Sequence, residues 1–258
     1  MAIRAMWKGV IHLDSIRVPV KLYGAIEDRN VHFRLVHRQD MEPVHQVLVN
    51  PETDDVVPYA ETRRAFITES GDRVLLTKPE LEALVPQPSR DIEVLAFLPL
   101  QAIDHRWYDR PYYLGPDEDG ADFFALADAL GEMQVEGLAR WVMRNKFYAG
   151  ALRLYQGYPV LMSLHHAEEI VPVEELKAPA GPALDRRELG MAHQLIEMLA
   201  SEFQPQEFHD EFREHVLEML AAKARGKPVK KRPPTPRERG TDLSRALEAS
   251  LRQAHKHA

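Results

Sequence analysis

Over the first 160 or so residues, apolar and polar positions alternate in short runs. Val18, Val20 and Leu22 alternate with Pro19, Lys21 and Tyr23. The run from Val31 to Leu35 repeats the pattern, with Phe33 on one face and His32 and Arg34 on the other. Further strands are predicted at residues 43–49, 73–76, 92–97, 137–143, 151–155 and 160–164, separated by turn-rich pieces such as Asn50-Pro51-Glu52 and Ser70-Gly71-Asp72. Many short strands punctuated in this way point to a barrel or a sandwich. Between them, residues 121–133 read as a helix, with Phe124, Leu126, Ala127 and Leu130 near helical spacing.

The period changes after the Pro/Gly/Ala stretch at residues 178–183. Asp185 followed by Glu188 has the form of a capping box, and Leu189, Ala192, Leu195, Ile196 and Leu199 make one apolar stripe. Pro205, tolerated in a first turn, opens a second helix through Phe208, Phe212, Val216 and Leu220, which Lys223, Arg225 and Gly226 close. Residues 226–240 hold four prolines and six basic residues, a composition that builds no core and predicts a mobile basic linker. Beyond it, Leu243, Leu247, Leu251 and Ala254 give a narrow apolar stripe on a short terminal helix.

The composition is that of a globular protein, with 45% hydrophobic and 28% charged residues over 258 positions. Absence of cysteine excludes a disulfide scaffold, a thiolate zinc site and a cysteine nucleophile. Apolar runs are too short to span a bilayer, and no apolar segment of a signal peptide follows Arg4, so the expectation is a cytoplasmic protein without a membrane partner. The net charge of −7 argues against a nucleic-acid ligand until it is resolved by position. Residues 1–180 carry −9, residues 181–226 carry −4 and residues 227–258 carry +6.

Strong catalytic signatures are absent: there is no GxGxxG, GxxxxGK, GxSxG or HExxH. His209 and His215 are six apart on a helix, and the adjacent His165 and His166, on a predicted strand end, point to opposite faces, so neither pair has metal-ligand geometry. Asp117-Glu118-Asp119 reads as a solvated acidic loop. No metal and no cofactor is expected. Arg140, Arg144 and Lys146 fall at even spacing, which on one strand would put all three on one face, either a plain solvent face or a binding lining.

Several segments together carry a family resemblance. Met6-Trp7-Lys8-Gly9-Val10-Ile11, followed by Arg17-Val18-Pro19-Val20-Lys21-Leu22-Tyr23, resembles the opening of the bacterial Ku proteins. Residues 33–37, 57–59, 73–84 (RVLLTKPELEAL), 89–93, 103–104, 110–116, 137–145 and 151–153 resemble further family segments in the family's order, and residues 208–213 and 223–227 extend the match to roughly residues 3–227. Two places depart from the pattern. Asp14 stands where relatives commonly have glycine, and residues 43–58 (PVHQVLVNPETDDVVP) contain no Lys or Arg where the family's arm is basic and often carries a cysteine.

The resemblance implies a mainly β fold with α: a β-barrel core over residues 1–180 with a strand-rich DNA-encircling arm at about 35–78, a helical C-terminal part at 181–226 and a basic tail at 227–258. It implies a non-enzymatic homodimer that threads double-stranded DNA ends in non-homologous end joining, near the nucleoid, with an ATP-dependent repair ligase of the ligase D type as partner. An arm strand of about eight residues would reach about 26 Å at ~3.3 Å per residue. A ring that accepts any sequence must touch phosphates and leave base edges unread. The expected contacts are Lys21, Arg34, Arg63, Arg64, Arg73, Arg140, Arg144 and Lys146, with Lys227, Lys230, Lys231, Arg232, Arg237 and Arg239 of the tail. Phe208, Phe212 and Arg213 fall in the part used for ligase recruitment. Two other readings stay open: a scaffold or partner subunit with reduced DNA binding, which the acidic arm favours, and a metal-dependent nuclease, which the missing ligand spacing disfavours.

Overall fold

The computed structural model describes residues 4–117, 120–177, 181 and 185–226. These described residues divide into two compact units, one within residues 4–29 and 34–175 and the other within residues 30–33 and 176–226.

In the first unit the alternating segments become a closed barrel. It opens with a hairpin of β1 (Trp7–Leu13) and β2 (Ile16–Gly24), whose turn places Asp14 at φ +54°. That left-handed conformation favours glycine and tolerates Asp, which accounts for the exchange at this position. After β2 the chain leaves the barrel for two small hairpins, β3 (Leu48–Val49) with β4 (Val56–Val57) and β5 (Arg64–Ile67) with β6 (Arg73–Leu76), and a short helix α1 (Lys78–Ala83). It returns as β7 (Asp91–Pro99) and continues through β8 (Tyr108–Pro116), α2 (Ala121–Met133), β9 (Val135–Met143), β10 (Lys146–Tyr155) and β11 (Tyr158–Leu164). The barrel order is β1-β2-β8-β11-β10-β9-β7, and β7 closes it by pairing with β1. That seam is parallel, through Val10↔Asp91 to His12↔Glu93, whereas the other barrel pairs are antiparallel. Closure leaves no open sheet edge.

Period-two alternation places Ile11, Val18, Val20, Leu22, Leu114 and Leu161 in the core and turns their neighbours outward. α2 adds Phe123, Leu126 and Leu130 to this core. Its bounds match the predicted helix, but Phe123 is the anchor and Phe124 is 56% exposed. Gly150 is forced by packing: a Cβ there would lie 2.4 Å from the Met162 carbonyl oxygen and 2.5 Å from the Trp141 ring.

Other sequence-based expectations are corrected. Val31 to Leu35 joins no ladder, and of residues 43–49 only Leu48–Val49 is a strand, with an isolated Val36↔Pro43 bridge ahead of it. Among the described residues of the arm no strand exceeds four residues, so the eight-residue arm strand is not present. His165 and His166 lie beyond the end of β11.

In the second unit α3 (Arg186–Leu199) starts with the expected capping box, Asp185 accepting from the Glu188 N–H at 2.8 Å. The next helix starts later than Pro205 implies. Pro205–Glu207 is a single 3-10 turn, and α4 (Glu211–Ala224) begins where the Asp210 carboxylate accepts the Arg213 N–H at 2.9 Å. An N-cap carboxylate satisfies an otherwise orphan donor, which a first-turn proline cannot do. Gly226, at φ +69°, follows this helix as expected.

Candidate nucleic-acid interface

The outward positions of the β1/β2 hairpin bear the most organised cations. Lys8 pairs across the strands with Lys21, Val10 with Pro19 and His12 with Arg17, so all six share the outer face. Two lysines directly opposite each other would repel. Here Asp117, at the end of β8, lies 2.8 Å from both Nζ atoms. Its backbone N–H donates to the Pro19 carbonyl at 3.2 Å, which fixes the carboxylate over the pair. The Lys21 ammonium, then that of Lys8, holds the Asp117 carboxyl below its ordinary range, and the same hydrogen bond raises Lys21. Lys21 is therefore placed on an exposed face but carries an internal counter-ion.

Arg90 joins this face because its carbonyl accepts the Val10 N–H at 2.8 Å. Gly9 permits the approach, since a Cβ there would lie 2.9 Å from the Arg90 oxygen and 2.3 Å from the Trp7 ring. Lys8, Arg17, Arg90 and Asp117 with Gly9, Val10 and Pro19 line a cleft of about 370 Å³. Lys8, Arg17 and Arg90 are not among the expected DNA contacts. The Trp-Lys-Gly opening and the outward parity of Lys8 and Arg17 with Lys21 are the signals that point to them.

Arg140, Arg144 and Lys146 do not share a strand face. Arg140 is outward on β9 and salt-bridged to Glu93 of β7 at 2.6 Å. Arg144 lies in the β9–β10 turn at φ +50°, and Lys146 starts β10. A turn breaks the period on which the shared face depended.

The arm cations are also divided. In the β5/β6 ladder Arg64 faces Leu76 and Ile67 faces Arg73, so Arg64 lies with Phe66 and Val74 on one face and Arg73 with Ile67 and Leu75 on the other. Arg63 directly precedes β5, and Arg34 is exposed in the extended stretch before the Val36 bridge. Lys227, Lys230, Lys231, Arg232, Arg237 and Arg239 lie outside the described residues.

In the second unit, Phe208 is 73% and Phe212 75% exposed, and the Phe208 ring lies against Phe203 at a centroid distance of 5.2 Å. Arg213 is at the third position of α4. No group of His, Asp and Glu among the described residues could hold a metal ion, and no described helix is long and apolar enough to cross a membrane.

A buried polar network has no counterpart in the sequence reading. Glu136 is fully buried on β9, accepts from the Tyr108 hydroxyl at 3.0 and 3.2 Å, and lies 3.8 Å from the Arg153 guanidinium, which also covers the Tyr108 ring at 5.4 Å. Burial and then the neighbouring carboxylate push the Tyr108 phenol above its ordinary value. These bonds hold β8, β9 and β10 together.

Comparison with known proteins matches residues 12–191 to the family described as "Ku: Ku70/Ku80 beta-barrel domain". A protein named "Non-homologous end joining protein Ku" from Symbiobacterium thermophilum is 36% identical over 98% of this chain, which spans 64% of that protein's length. "Non-homologous end joining protein Ku 2" of Geotalea uraniireducens is 34% identical, covering 98% of this chain and 99% of the relative, and the Heliobacterium modesticaldum protein named as Ku is 34% identical, covering 98% and 93%. With the barrel strands inside the matched segment from His12 onward and the latter two relatives aligned nearly end to end, this chain belongs to the Ku family.

Proposed function

We propose that the chain binds double-stranded DNA ends without reading their sequence and acts in non-homologous end joining as a homodimer whose two arms close around one duplex. The observation that carries this reading is the family match across the barrel, into which residues 25–90 are inserted with cations and apolar side chains exposed together. A two-fold pair would bring two such arms to one duplex. In this reading the protein is a non-enzymatic clamp that protects ends, associated with the nucleoid in the cytoplasm. Exposed Phe208 and Phe212 with Arg213 offer a surface to an ATP-dependent repair ligase. The working division is a core to residue 180, with the arm at about 35–78, a helical part at 181–226 and a basic tail at 227–258.

Gel-shift on linear and covalently closed duplex, at about 50 and about 200 mM salt with Mg2+, tests the clamp. Binding is expected on the linear form alone, without cleavage. If six to ten phosphates are neutralised, affinity falls by about 10³ to 10⁵ across that interval. Equal binding to closed circles, or a flat salt response, rejects the ring.

The second reading, a scaffold or partner subunit with reduced DNA binding, is favoured by residues 43–58, which hold no Lys or Arg. It predicts that the chain alone fails to shift linear duplex at either salt concentration.

A further inference from the structure

We propose that Lys8, Arg17, Lys21 and Arg90 form a backbone-phosphate site of duplex DNA on the outer face of the β1/β2 hairpin, and that Asp117 occupies it as an internal competitor until a phosphate displaces its carboxylate. The inference rests on the DNA-binding reading and adds to it a location and a control element. Its first support is the geometry of the two lysines. Lys8 and Lys21 are a directly opposed cross-strand pair, and a carboxylate oxygen equidistant from both, 2.8 Å from each, sits where a bridging phosphate oxygen would sit. The second support is accessibility. The Lys8 side chain is 54% exposed and that of Lys21 29%, against 22% for Asp117, so a ligand approaching from solvent meets Lys8 first.

The third support is the pair of arginines. Arg17 and Arg90 are exposed and line the same cleft as Lys8 and Asp117. Among the described residues lining that cleft they bring the cations to three against one carboxylate, with Lys21 bonded to that carboxylate from the next strand. Guanidinium groups suit bidentate phosphate contact, and the Val10–Arg90 backbone bond holds the Arg90 backbone beside β1. The site reads no base, in keeping with sequence-independent binding. Asp117 would then limit affinity for any duplex, and its release would convert an internal ion pair into a phosphate contact.

The test compares Asp117→Asn with Asp104→Asn by duplex titration at several salt concentrations. Asp104 is a control of equal charge: it pairs with Arg106 at 2.7 Å, away from the cleft. Asp117→Asn is expected to raise affinity for linear duplex at least about threefold. It should also steepen the salt response, adding about a 3.5-fold loss between about 50 and 200 mM for each further phosphate neutralised. Asp104→Asn is expected to do neither. Because removing Asp117 could loosen the β2/β8 junction, the double variant Arg17→Gln/Arg90→Gln, at two exposed positions, supplies an independent arm. It should lower affinity and flatten the salt response by the equivalent of about two phosphates. Equal affinity increases from the two Asn variants would show a bulk-charge effect and overturn the site, as would an unchanged salt response in the double variant. Wild-type protein that binds no duplex rejects the functional reading itself, whereas binding unaffected by these substitutions rejects only the site.

Discussion

At the level of single residues, what a side chain does depends on its partner more than on its type. Asp117 belongs to an acidic run that reads as solvated loop, yet it is bonded to two lysines more than 90 positions away in sequence. Glu136 reads as one polar position on a strand, yet it is the fully buried acceptor of the Tyr108 hydroxyl. Neither role is legible without the strand pairing that brings the donors, because local pattern carries no information about long-range neighbours. Tyr108→Phe would leave the Glu136 carboxylate buried with the 3.8 Å approach of Arg153 alone, and is expected to destabilise the fold by about 1–3 kcal/mol, read by denaturant titration. The pH response gives a second check. Tyr108 has a raised value in the folded chain, so its contribution is fully present below the unfolded phenol value of about 10 and is lost as pH rises from there through the folded value. The wild-type melting temperature should fall more steeply above about pH 10 than that of Tyr108→Phe; parallel profiles would exclude a role for this phenol.

At the level of elements, alternation locates the buried faces of the barrel well. Val18, Val20 and Leu22 are buried as their spacing predicts, and residues 92–97, 137–143 and 160–164 each lie inside an observed strand. Errors cluster where a turn interrupts the period or where apolar alternation lacks a partner strand. Arg144 illustrates the first and Val31 to Leu35 the second. The capping box of α1, in which Thr77 and Glu80 bond reciprocally, is written in the sequence as Thr-Lys-Pro-Glu, but the helix that follows is too short to show an apolar period. In the β5/β6 hairpin Phe66 is 64% and Ile67 65% exposed on opposite faces, and a two-stranded ribbon is marginal alone in water. Burial of this hairpin between copies is the simplest source of its order under the homodimer reading. Phe66→Glu should then shift the protein from dimer toward monomer in sedimentation and weaken linear-duplex binding by at least about tenfold, about one to two kcal/mol of lost apolar burial being enough. A variant that stays dimeric with unchanged binding would place the dimer contact elsewhere.

For the whole molecule, average charge is a poor guide and its distribution a better one. The body to residue 226 carries −13, so under the clamp reading phosphate contact would come from local groups of cations, and the tail from residue 227 carries +6. The described cations do not form one continuous lining: Arg140 is paired to Glu93, Lys21 to Asp117, and Arg64 and Arg73 face apart. In the clamp reading, which of them would meet a duplex depends on assembly, which no single-chain pattern encodes. Truncation after Gly226 removes six net positive charges and is expected to weaken duplex binding and flatten its salt dependence while leaving the thermal transition of the core in place. Normal binding and end-joining stimulation by the truncated chain would make the tail dispensable.

The parallel seam between β1 and β7 also bears on how such proteins can diversify. Because Val10 meets Asp91 directly, everything from residue 25 to residue 90 is a closed loop as far as the barrel is concerned. Closing a flexible loop costs entropy that grows only with the logarithm of its length, so doubling this excursion would cost the barrel about 0.6 kcal/mol. Insertions, deletions and exchanges of charge there can accumulate while the seven-strand register stays fixed, and reach can evolve almost independently of the scaffold that carries it.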